Sequence, residues 1–129
     1  MRRSSAFTLI ELVIVVVIVA ILAASAYPIY RAIVNRAYEG EILSGMGIFR
    51  GAERMYRAEA GKYGTQSDLE ARDFLASKDF FDLKYVQYAD FSFSAQADDT
   101  YTIQWAGTID GYKYSKVTMD QAGSITRTE

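Results

Sequence analysis

The chain has 129 residues and a formal net charge of −2, enough for one domain and short of two comfortable cores. It contains no cysteine and no histidine. That excludes a disulfide framework and thiolate metal sites, and it removes the commonest general base and the imidazole metal ligand. The acidic balance excludes a general nucleic-acid binder, which needs a basic surface to displace phosphate counterions.

Met1–Ala6 is a short leader carrying Arg2 and Arg3. Phe7–Ala26 follows as FTLIELVIVVVIVAILAASA, twenty residues with one charge, Glu11. A helix of that length spans about 30 Å, the thickness of a hydrocarbon core. The two arginines would hold the N-terminus on the cytoplasmic side. An ordinary secretory signal would end at a small-residue cleavage site, and Ala23–Ala26 offers one as the simpler alternative. Glu11 argues against both a plain signal and a plain anchor. A carboxylate in an apolar segment costs several kcal/mol unless it finds a partner. A new amino terminus at Phe7, on this chain or on a neighbour, would supply a positive charge at the same depth.

Ala6-Phe7-Thr8-Leu9-Ile10-Glu11 resembles the processing site of type IV pilins and the related pseudopilins of type II secretion. The resemblance implies that a prepilin peptidase cuts between Ala6 and Phe7 and that Phe7 is then N-methylated. Glu11 would stand fifth in the processed chain, and Pro28 falls where many members carry a proline. The usual residue before the cut is glycine, so Ala6 is a departure. The motif covers about a fifth of the chain. It implies an α+β type IV pilin fold, with a long N-terminal helix, hydrophobic in its first half, packed against a four-stranded antiparallel sheet. The helix would anchor the subunit in the inner membrane and then pack against sister helices in a filament. There Glu11 would pair with the Phe7 amine of a neighbouring subunit. Small and β-branched residues from Val13 to Ala24 suit close helix packing.

Pro28 is the single proline. Within a helix it removes a backbone hydrogen bond and crowds the preceding turn, so a kink or local unwinding is expected near Ser25–Pro28. Helical periodicity resumes at once through Ile29, Ile33, Ala37, Met46, Phe49, Ala52 and Tyr56. One helix is therefore expected from Phe7 to about Ala60, with 7–28 as its membrane and assembly half and 29–60 as its amphipathic half. Gly40, Gly45, Gly47 and Gly51 each cost about 1 kcal/mol in a helix interior, and close packing against the sheet is the favoured reason. The helix aromatics Phe7, Tyr27, Tyr30, Tyr38, Phe49 and Tyr56 read as core and subunit contacts rather than as an electron path.

Residues 61–87 read as a connection. Gly61 is the helix cap, and Ser67-Asp68-Leu69-Glu70 is a capping box opening a short helix that runs to about Leu75. From Tyr88 the period becomes two. Phe91–Gln96, Tyr101–Trp105, Lys113–Met119 and Ser124–Thr128 give four antiparallel strands in a meander over 88–129, with turns at Asp98-Asp99, Asp110-Gly111 and Asp120–Gly123. Phe93, Tyr101, Ile103, Trp105, Val117 and Ile125 are the expected core face.

No catalytic, cofactor or metal constellation stands out, and the acids of the late turns are too dispersed for a calcium loop. The chain therefore reads as a non-enzymatic prepilin that polymerises into a type IV pilus-like helical filament. Its implied partners are the prepilin peptidase, an inner-membrane assembly platform and other copies of itself. It would reside in the inner membrane and then in an extracellular pilus. The alternatives are a periplasmic pseudopilin of type II secretion and a minor pilin for DNA uptake. The last rests on Arg50, Arg54 and Arg57, interleaved with Glu53 and Glu59.

Overall fold

The computed structural model describes residues 7–75, 83–95 and 99–129. The chain divides into two units, Met1–Val34 and Asn35–Glu129. Helix α1, Leu9–Ala60, is continuous over 52 residues and contributes to both. Its helical assignment runs through Pro28. In the first unit every described side chain up to Ile33 is exposed. Ile29 and Ile33, which open the helical periodicity after Pro28, are exposed at 62% and 59%.

In the second unit α1 buries Ile42, Gly45, Met46, Phe49, Ala52, Glu53 and Tyr56. These positions recur at three- and four-residue steps, which is one face of a 3.6-residue helix. Four strands follow the connection: β1 Phe91–Ala95, β2 Tyr101–Ala106, β3 Lys116–Asp120 and β4 Ile125–Thr128. They pair in the order β1-β2-β3-β4, antiparallel throughout. Expected strand residues Lys113–Ser115 lie before β3, and Tyr88–Asp90 forms a 3₁₀ turn.

The register explains the core. Phe91, Trp105 and Val117 stand in one row across the sheet, and Phe93, Ile103, Met119 and Ile125 in the next. Both rows meet α1 in a cluster with Ile42, Met46, Phe49 and Tyr56. Phe93 and Ile125 are only partly buried, while Phe91 and Met119 are buried. Gly45 shows how closely the layers approach. A Cβ there would sit 2.3 Å from the Phe91 ring, whereas one at Gly40, Gly47 or Gly51 would meet nothing within 4 Å. Close packing thus accounts for one of the four helix glycines. The other three face open space in this chain.

Two contacts fasten the sheet edge to the helix. Arg127 of β4 continues the Phe91–Trp105–Val117 row and donates from Nε to Glu39 of α1 at 2.7 Å, with a second donor on the same oxygen. An inward-pointing charge on an edge strand discourages edge-to-edge pairing. Arg50 donates to the carbonyls of Gln121 and Ala122 at 3.4 and 3.2 Å, holding the β3–β4 turn. In that turn Gly123 adopts φ +92°, and Ser124 N–H donates to the Asp120 carboxylate at 2.7 Å, which holds that carboxyl below its ordinary range.

The connection begins where expected, with Gly61 at φ +73° and its N–H donating to the Arg57 carbonyl at 2.9 Å. The short helix α2 is Gln66–Ala71, and its capping box is Thr65 with Asp68, not one starting at Ser67. Thr65 N–H donates to Asp68 at 2.8 Å and Asp68 N–H to the Thr65 hydroxyl at 3.3 Å. Thr65 wins the cap because its backbone is extended, which lets its hydroxyl reach the third helical residue. Of the expected turn acids, Asp98 lies outside the described residues, and Asp99 adopts φ 60°.

Candidate functional site

The sequence places the candidate site at the start of α1. Phe7 is exposed and Ala6 lies outside the described residues. Thr8 stands just before the first helical residue, Leu9. Its backbone N–H and its hydroxyl both donate to Glu11 Oε2, at 2.9 and 2.8 Å. In return Glu11 N–H donates to the Thr8 hydroxyl at 3.3 Å. This is a reciprocal capping box, which satisfies donors that a helix N-terminus otherwise leaves open.

The arrangement changes the chemistry of Glu11. It is not a bare charge in an apolar segment: it closes the end of its own helix, where the macrodipole also favours an anion. Both bonds fall on Oε2; Oε1 makes no hydrogen bond among the described residues. One carboxylate oxygen is thus held in a fixed direction, and the other is open to a further donor. The pattern Thr8-x-x-Glu11 was legible in the sequence as a capping box and went unread there, because a single acid in an apolar run draws attention to its cost rather than to its local use.

Behind the cap, α1 contains an 18-residue window of mean hydropathy 3.0 with none of it buried. By length and composition it can cross a membrane. Ser25 donates from its hydroxyl to the Leu22 carbonyl at 2.9 Å, a back-bond of the kind that serine makes inside helices. Pro28 follows three residues later. Tyr27 and Tyr30 are each 65% exposed.

Several of the remaining aromatics, and two of the three arginines of the basic cluster, are engaged within the folded unit. Phe49 stacks on Tyr88 with centroids 5.7 Å apart and packs against Phe91 at 5.6 Å. Tyr38 meets Tyr85 and Tyr112 edge-on at 4.7 and 6.0 Å. Of the three arginines behind a DNA-contact reading, Arg50 holds the β3–β4 turn. Arg57 pairs with Asp99 at 2.8 Å and donates to the Tyr63 hydroxyl at 2.6 Å. Glu53, interleaved with them in sequence, is fully buried. Among the described residues no group of acids could hold a metal ion.

An apolar, unburied helix opened by a carboxylate cap thus precedes the helix-on-sheet unit in the chain. Residues 1–27 match the family described as the prokaryotic N-terminal methylation motif, the prepilin signal of type IV pilins and pseudopilins. The fold, a long helix with an apolar first half and a four-stranded antiparallel sheet, is the type IV pilin-like arrangement. The match places a prepilin-type signal at the N-terminus; residues 28–129 lie outside it. No curated protein and no solved structure matches it.

Proposed function

We infer that this chain is the structural subunit of a type IV pilus-like filament. It is made as a prepilin, cut between Ala6 and Phe7, methylated on the Phe7 amine, and assembled through α1. The observation that carries this reading is the capped carboxylate of Glu11, with Oε2 tied to Thr8 and Oε1 open. The Phe7 amine of a neighbouring subunit is the donor that fits it: a cation at the same depth removes the cost of the carboxylate in an apolar surround. Before assembly the helix sits in the inner membrane with its N-terminus cytoplasmic, as Arg2 and Arg3 favour. Pro28 is the point where the helix bends or loosens, since its ring leaves one carbonyl without a helical partner.

Intact-mass measurement of the native protein tests the processing. Loss of Met1–Ala6 and gain of one methyl group is expected; an N-terminus after Ala26 would overturn the reading. Glu11→Val should leave the subunit membrane-inserted and lower filament yield by an order of magnitude or more. Normal filaments from that variant would remove the charge pair. Immunolabelled surface pili distinguish a pilus subunit from a secretion pseudopilin, whose deletion stops secretion and leaves pili intact.

A further inference from the structure

Glu53 belongs to none of this, and its surroundings are unusual. It lies on α1 with no solvent exposure. Its Oε2 accepts the backbone N–H of Gly64 at 3.2 Å, while Oε1 is buried with no hydrogen-bond partner among the described residues. One turn along the helix, the Tyr56 ring lies under the same glycine, where a Cβ would come within 2.9 Å. Glu53 and Tyr56 together hold Gly64, and with it the segment that runs from the Gly61 cap of α1 to the Thr65 cap of α2.

Among the described residues, the charges around this junction do not neutralise Glu53. Asp68, from α2, bears on it with like sign. Lys62 of the connection and Arg72 beyond α2 act on Asp68 instead, and Arg72 pairs with Glu59 at 3.1 Å. Arg57 of α1 is taken by Asp99 and Tyr63, and Arg50 by the β3–β4 turn. Among the described residues, an ionised Glu53 would be a buried anion with one hydrogen bond and no cation paired to it, which proteins relieve by protonation or by admitting water.

We propose that Glu53 is a proton-operated latch: its neutral carboxyl keeps the Gly61–Thr65 segment closed on α1, and its ionisation opens that segment to water. Burial pushes its pKa up to about 7, against a smaller downward pull from the Gly64 N–H. The sign follows from linkage. The closed form binds the proton more tightly than the open form, where water restores the ordinary value of 4.5. Opening is therefore suppressed below about 4.5, rises by up to about tenfold per pH unit between 4.5 and 7, and levels off above 7. The latch lies wholly in the folded unit, so it stands or falls apart from the filament reading.

Amide hydrogen exchange of Gly64, followed by NMR on the full chain in detergent micelles and corrected for intrinsic rates, tests the latch. Protection should fall by about tenfold per pH unit across the window and then stay constant, and Glu53→Gln should make it independent of pH. A flat wild-type profile, or the same slope in Glu53→Gln, would overturn the proposal. Titration of the wild-type Glu53 carboxyl carbon decides the matter even if that variant does not fold. A midpoint near 7 is the expected result; one in the ordinary carboxylate range sinks the latch.

Discussion

Trp105→Ala should cost about 3–5 kcal/mol of stability, the usual range for removing a buried tryptophan. The indole has no exposed surface. It stands between Phe91 and Val117 in its row of the sheet and meets the Tyr112 ring at 6.0 Å. Gly107 covers it so closely that a Cβ there would lie 2.9 Å from the ring. Strand backbone on both sides limits collapse into the space, so the cavity term should be large. Trp105→Phe should cost much less, because the indole N–H has no partner among the described residues and its removal relieves an unmet donor. Urea unfolding of the detergent-solubilised chain, followed by circular dichroism, measures both. A loss under about 1 kcal/mol for Trp105→Ala would mean that this row is not the centre of the core.

The second large effect separates the helix glycines by sign. Gly→Ala in a helix interior ordinarily gains about 0.5–1 kcal/mol. At Gly47, where a Cβ meets nothing, that gain should appear in the monomer. At Gly45 the new methyl would lie 2.3 Å from the tip of the Phe91 ring, and Phe91 is itself buried against Phe49. Overpacking a filled core costs about 1–3 kcal/mol, so Gly45→Ala should destabilise despite its better propensity. Phe91→Leu in the same chain should recover part of that loss, since the two positions share one contact. Equal effects at Gly45 and Gly47 would show that the layers are not in close contact there.

Much of the architecture was legible because it rests on short-range patterns. The apolar run from Phe7 and the alternation in Phe91–Ala95 and Tyr101–Trp105 each encode an element within a few residues. Gly61 did the same for the helix end, because its positive φ is a local property. Errors arose where two local signals competed or where a distant partner decided. Thr65 and Ser67 are both plausible caps, and only the backbone conformation at Thr65 chose between them. Ile29, Ile33 and Ala37 keep the helical period, yet the buried stripe begins at Ile42. Period reports which side of a helix a residue is on, not whether anything covers that side. Arg127 reads as a surface cation in a polar strand until the register brings it opposite Glu39, far away in sequence.

The sequence by itself determined the N-terminal signal of this protein, because that signal is contiguous: a basic leader and an apolar helix with one acid, matched over residues 1–27. Even the capping bond of that acid is local, since it spans three residues. Only the tertiary structure decided which charges are spent on the fold and which are not. Arg50 and Arg57 turned from a basic patch into tethers for a turn and a loop. Glu53 turned from an acid interleaved with a basic cluster into a buried one. The physical reason is the same in each case. The energy of a charge depends on what surrounds it, and those surroundings come from segments that the sequence keeps far apart and the fold brings together.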